Sequence, residues 1–136
     1  MDFIKHLPAT KEANTLQQEQ MVYTQAVQEY EKGNYLNAHD LFLLFSSQNP
    51  LQKEGWQGLA ACQQMQKAYS DSLTSWAMTA LLDASDPYPH FHAAECFIAQ
   101  NNFPEAQKTL TKALSLPCTE LLLEQIHSLT KVLNHA

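Results

Sequence analysis

Hydrophobic residues near the end of the chain recur every three or four positions, which is the spacing of one face of an α-helix. In the segment TELLLEQIHSLTKVLN these residues are Leu122, Ile126, Leu129 and Leu133, and Thr119 stands where a helix N-cap is expected. The segment therefore predicts an amphipathic helix that packs its apolar face on the residues before it.

The residues before this helix contain an internal repeat. The segments GNYLNAHDLF, KAYSDSLTSW and NNFPEAQKTL begin at Gly33, Lys67 and Asn101 and align without gaps at an interval of 34 residues (67−33 and 101−67). The aligned small, aromatic and bulky positions are Ala26, Tyr35, Ala38, Trp56, Leu59, Ala60, Tyr69, Ser72, Ala94, Phe103 and Ala106. A period of 34 is that of the tetratricopeptide repeat, a pair of helices whose small residues permit close approach.

We therefore predict an all-α protein: three tetratricopeptide repeats in a right-handed superhelical stack, followed by a C-terminal capping helix. The repeats are residues 19–52, 53–86 and 87–118, and the capping helix lies in 119–136. Residues 1–18 are expected to form a partly helical N-terminal arm, because Pro8 prevents one continuous helix. Within the repeats we expect helices near 19–32, 35–48, 53–66, 69–83, 88–100 and 103–115.

Charge and composition remove several classes of function. The net charge is -6 and all eight basic residues are lysine, so the chain lacks the basic face that nucleic-acid binding needs. No apolar run has the length of a membrane span or of a signal peptide, so we expect no direct membrane insertion. Cys62, Cys96 and Cys118 form no C-x-x-C pair, which favours free thiols in a reducing cytosol.

The stretch DPYPHFHAAEC brings together four potential metal ligands, His90, His92, Glu95 and Cys96. The two histidines are two residues apart, about 200° around a helix, and cannot converge on one ion. The other three share a helix face but lack a fourth ligand, so packing is the favoured interpretation. We expect no metal and no cofactor. The chain also has no nucleophile triad spacing and no glycine-rich phosphate loop, so we do not expect an enzyme.

The first helices of a repeat stack line its concave side, and some of their residues point away from the packing seam. The nine candidate positions for binding a peptide are Tyr23, Val27, Tyr30, Gln57, Ala61, Gln64, Phe91, Glu95 and Ile98. They form an aromatic and aliphatic groove with amides and one carboxylate, which suits an extended peptide. For each aromatic side chain, packing against the neighbouring helix remains an alternative.

The segments GNYLNAHDLF, WQGLAACQQMQKAYSDSLTSWAMTALLD and DPYPHFHAAEC resemble the class II chaperones of bacterial type III secretion, the LcrH/SycD/IpgC-like family. The resemblance runs from about Gln17 to Leu116. It implies a chaperone of the bacterial cytoplasm that needs no nucleotide. Such a chaperone binds an extended N-terminal segment of a hydrophobic translocator protein in its concave groove and keeps that client soluble and export-competent. The implied contacts fall on Tyr23, Tyr30, Gln57, Ala61, Gln64, Phe91 and Glu95.

Two further points follow from the resemblance. In relatives the N-terminal arm often mediates dimerisation, so a homodimer is one expectation for this chain. Some members serve effectors instead of translocators. An effector chaperone is therefore an alternative. Apart from the resemblance, a generic tetratricopeptide-repeat adaptor that docks a peptide motif and an enzyme regulator also remain alternatives.

Overall fold

The computed structural model describes residues 13–135, which form seven α-helices and no β-strand. The helices are α1 (Ala13–Glu31), α2 (Tyr35–Gln48), α3 (Lys53–Met65), α4 (Tyr69–Leu82), α5 (Tyr88–Ala99), α6 (Phe103–Leu114) and α7 (Glu120–Asn134). The predicted all-α fold is confirmed, and none of these helices is long and apolar enough to cross a membrane. Residues 13–18 of the predicted arm belong to α1, and residues 1–12 lie outside the described part of the chain. The exact division into repeats stays a prediction.

The turn inside each helix pair repeats in backbone conformation as well as in sequence. Gly33, Lys67 and Asn101, which begin the three aligned segments, have positive φ angles of 82°, 62° and 59°. In each turn the amide of the following residue donates to the carbonyl oxygen five residues earlier, at 2.8 or 2.9 Å. This left-handed residue ends the first helix and reverses the chain, and glycine adopts it most easily.

The small residues at the repeat interval lie where the helices cross. Ala26, Ala60 and Ala94 in the first helices are fully buried, and so are Ala38, Ser72 and Ala106 in the second helices. The Ser72 hydroxyl donates to the carbonyl oxygen of Ala60 at 2.8 Å, so even the polar member of this series is satisfied in the core. Each helix packs against the next one, and α1 also contacts α3.

Helix α7 closes the stack behind α5 and α6. The Thr119 hydroxyl accepts a hydrogen bond from the Leu122 amide at 3.1 Å, which confirms the predicted N-cap. Leu122 and Ile126 are fully buried in a cluster with Phe91 and Leu110, and the predicted apolar face of α7 also packs Leu129 and Leu133 against this cluster. The third helix pair is thus covered on the side where a fourth pair would otherwise stack.

Candidate functional site

The first helices of the three pairs, α1, α3 and α5, together line a cavity of about 490 Å³, which we call the groove. Seven of the nine predicted positions line it: Tyr23, Val27, Tyr30, Gln57, Ala61, Gln64 and Glu95. The lining is completed by six residues that were not predicted: Phe42, Glu54, Gly58, Met65, Trp76 and His92. The role of these residues in client binding stays a prediction.

The part of the groove formed by α1 is aromatic and aliphatic. The ring of Tyr23 packs edge-on to that of Phe42, with centroids 5.9 Å apart, and Val27 and Tyr30 continue the same wall along α1. A Cβ atom on Gly58 would overlap the Phe42 ring, so the glycine lets this ring lie directly against α3. Burial is the main cause that raises the pKa values of both tyrosines, so their hydroxyls stay protonated and neutral at physiological pH.

The part formed by α5 is polar and tied together by hydrogen bonds. The buried indole of Trp76 donates to Oε1 of Gln64 at 3.0 Å, and Nε2 of Gln64 donates to Oε1 of Glu95 at 3.2 Å. The same carboxylate oxygen lies 2.6 Å from Nδ1 of His92. The His92 ring stacks on Trp76, with centroids 4.7 Å apart and an interplanar angle of 21°. These four side chains therefore hold one another in fixed orientations.

Two predicted positions lie elsewhere. Phe91 is only 6% exposed and packs in the cluster beneath α7, so its predicted place in the groove is wrong. Ile98 is half-buried near the end of α5 and does not line the groove.

Phe91 was wrongly predicted to line the groove because the first helices of the three pairs pack against different neighbouring helices. Gly58, His92 and Ile126 occupy equivalent places at the repeat interval (92−58 and 126−92). Glycine and histidine leave the groove open, whereas Ile126 of α7 fills the space over Phe91.

The four potential ligands of the DPYPHFHAAEC stretch separate in space. His92 and Glu95 face the groove, whereas His90 lines a second cavity of about 560 Å³ between α4, α5 and α6. Burial is the main cause that lowers the pKa of His90, and the charge of Lys112 adds to it. Cys96 is fully buried, with its sulfur 3.7 Å from the Ser72 hydroxyl. Within residues that the structure describes, no three His, Cys, Asp or Glu side chains are grouped to hold a metal ion.

Some of the groove-lining residues that were not predicted could have been recognised from the sequence. Phe42 and Trp76 are large aromatic residues one repeat apart (76−42), at the last position of two of the aligned segments. Both are 3% exposed, yet their ring edges still form part of the groove wall. An isolated glycine within a helix, such as Gly58, indicates close approach of another group and marks this wall.

Helix pairs stacked at a constant interval, with an open groove along their first helices, define the class of tetratricopeptide-like proteins. The chain is 31% identical to the low calcium response locus protein H of Yersinia pestis over 104 residues. The match covers 76% of this chain and spans 60% of that relative's length. No family model matches the sequence.

Two crystal structures of the type III secretion translocator chaperone SycD of Yersinia enterocolitica have the same fold, each with a TM-score of 0.82 and 27% identity. Both cover 90% of this chain, and this chain covers 94% and 95% of theirs; the second contains a peptide of the translocator YopD. In sequence and in fold the chain is therefore similar to these proteins, in agreement with the resemblance of its motifs.

Proposed function

We propose that this protein is a chaperone of type III secretion that holds an extended apolar segment of a translocator in the groove. Bound in this way, the client stays soluble and export-competent in the bacterial cytoplasm. The observation that carries the proposal is the groove itself, which runs across all three first helices and is lined by Tyr23, Tyr30 and Gln64. It is supported by SycD, a protein of the same fold that binds a peptide of the translocator YopD.

The dimensions and chemistry of the groove favour an extended segment over a folded partner. A volume of about 490 Å³ accommodates a few side chains and a short length of backbone. The aromatic wall at Tyr23 and Phe42 offers apolar surface, and the side chains of Gln57 and Gln64 can pair with backbone groups of the peptide. Both kinds of contact are needed to bind an apolar segment without leaving its amides unpaired.

The proposal is tested with overlapping peptides from translocators encoded beside this gene, added to the purified protein during thermal unfolding. A peptide that binds only the folded state stabilises it by mass action, by roughly 2.7 kcal/mol at a concentration about a hundredfold above its dissociation constant. The blocking variant is Ala61→Phe, which places a ring in the middle of the groove. The matched control is Ala99→Phe, because Ala99 is exposed at the end of α5 and outside the groove.

One or more peptides from the N-terminal part of a translocator should raise the melting temperature of the unmodified protein and of Ala99→Phe, but not of Ala61→Phe. The proposal fails if no translocator peptide shifts the melting temperature. It also fails if Ala61→Phe, shown by circular dichroism to be folded, binds the same peptides with unchanged affinity.

The protein would work by binding alone, without a catalytic step, nucleotide or other cofactor. SycD is a translocator chaperone, which agrees with this part of the proposal. A homodimer formed through the N-terminal arm stays a prediction, and SycD has been crystallised as an alternative dimer. Light scattering on the full chain and on a chain that begins at Glu19 tests it: a dimer that persists without residues 1–18 would exclude the arm as its cause.

A further inference from the structure

The two parts of the groove differ in chemistry, and this difference restricts which segments fit. Along α1 the lining offers rings and aliphatic surface, whereas α5 offers the carboxylate of Glu95 and the imidazole of His92. No lysine lines the groove, although the described part of the chain contains several. A purely apolar segment would cover the polar part without satisfying it.

The orientation of Glu95 is fixed by a chain of hydrogen bonds whose direction is unambiguous. An indole N–H only donates, so the group of Gln64 that faces Trp76 is its carbonyl oxygen. The amide nitrogen of Gln64 is then the group that donates to Oε1 of Glu95, which must accept. His92 approaches the same oxygen with Nδ1, and its ring is held by stacking on Trp76.

The second carboxylate oxygen of Glu95, Oε2, takes no part in this chain of hydrogen bonds. Both hydrogen bonds to Glu95 go to Oε1, and Oε2 has no partner among the residues that the structure describes. The side chain is 36% exposed, so a bound peptide can reach it. An acceptor that is already oriented and partly desolvated binds a cationic donor more strongly than a mobile surface carboxylate does.

We propose that Glu95 is a specificity-determining residue, which accepts a hydrogen bond from a lysine or arginine side chain of the bound segment. This inference rests on the proposed function and adds to it the chemical class of the segment that binds in the groove. The segment carries apolar residues for the wall at Tyr23 and Phe42 and a basic residue that reaches α5. Gln64 and Trp76 act as positioning residues, because they hold Glu95 without contacting the ligand's charge.

The experiment begins with the translocator peptides that bind in the melting assay. Each binding peptide is labelled with fluorescein, and its lysine or arginine is replaced in turn by norleucine, which keeps the aliphatic chain and removes the charge. Affinities are measured by fluorescence anisotropy for the unmodified protein, for Glu95→Gln and for Glu54→Gln. Glu54 also lines the groove but makes none of these hydrogen bonds, so its variant removes the same charge without disturbing the oriented acceptor.

We expect Glu95→Gln to weaken the binding of the basic peptide by about tenfold, as for a charge-assisted hydrogen bond at a partly exposed site. The affinity for the norleucine peptide should stay within about twofold of its value for the unmodified protein. Glu54→Gln should change the binding affinities of both peptides by the same small factor. For the basic peptide, the loss of affinity between low and high salt should be smaller in Glu95→Gln than in the unmodified protein. A merely structural role of Glu95 would weaken both peptides equally and leave their salt dependence unchanged.

The failures of the two proposals are distinguishable. If no translocator peptide binds, the proposed function fails and this inference fails with it. If peptides bind and Ala61→Phe blocks them, but the binding peptides contain no basic residue, only the specificity inference is overturned. Equal effects of Glu95→Gln on the basic and norleucine peptides would overturn it in the same way.

Discussion

Replacing Phe91 by alanine should cost stability, not client affinity. The ring is 6% exposed and packs against Leu122 and Ile126 of α7 and Leu110 of α6. Removing a buried phenylalanine side chain destabilises a protein by about 3–5 kcal/mol, because the transfer energy is lost and a cavity remains. A domain of this kind has a total stability of roughly 5–15 kcal/mol, so the variant should keep its fold with a much reduced margin.

The assay is urea unfolding followed by circular dichroism. With a slope of about 2 kcal/mol per molar urea, the midpoint for Phe91→Ala should fall by about 2 M. Amide hydrogen exchange in α7 should also become faster, because the variant loses the contact that holds this helix on the stack. Peptide affinity, measured well below the midpoint, should stay within about twofold, because Phe91 does not line the groove.

The matched variant is Gln57→Ala, which changes the equivalent position one repeat earlier (91−57). Gln57 is exposed and lines the groove, so its replacement should change the free energy of unfolding by no more than about 0.5 kcal/mol and should weaken peptide binding. Equal behaviour of the two variants would contradict the different environments of Phe91 and Gln57. If Phe91→Ala kept its full stability and lost affinity, the ring would belong to the groove and not to the core.

Three further changes test the packing. Gly58→Ala should destabilise the protein by about 1–3 kcal/mol in urea unfolding and weaken peptide binding, because the added methyl group displaces Phe42; unchanged stability would contradict the close contact. Lys67→Gly should stabilise the protein by about 1 kcal/mol, because it relieves a left-handed residue, whereas Lys67→Ala should have little effect; equal effects would argue against the positive φ. Iodoacetamide at pH 8 should label the half-buried Cys118 before Cys62, because burial raises the pKa of Cys62 to about 11. The folded state thus favours the neutral Cys62 thiol, so stability should fall as the pH rises from about 9 towards 11; early labelling of Cys62 would count against its burial.

The fold was predictable because the strongest constraints on it are local and recur. Alanine or serine is required wherever two helices cross closely, and Ala38, Ser72 and Ala106 reveal that requirement at a constant interval. The turn between paired helices recurs in the same way at Lys67 and Asn101, although neither is a glycine. Such signals depend on contacts within one repeat. They therefore indicate the fold even where the packing of more distant helices is predicted wrongly.

The residues that line the groove were less predictable, because the exposure of each first helix depends on which helix packs against it. A helical projection treats equivalent residues alike and therefore assigned Phe91 the same role as Gln57. The structure separates them, because α7 covers the third pair whereas α5 leaves the second open. The hydrogen bonds from Trp76 to Glu95 join three helices and were not visible in the spacing of any one of them.

One position of the repeat controls the character of the groove along its length. Gly58 in α3 lets the Phe42 ring pack directly against this helix, as part of the apolar wall. His92 in α5 stacks on Trp76 and orients Glu95, which makes a polar end. Ile126 in α7 is fully buried and closes the stack. Because these residues follow one another in space, a bound segment meets its apolar and polar contacts in a fixed order along the groove.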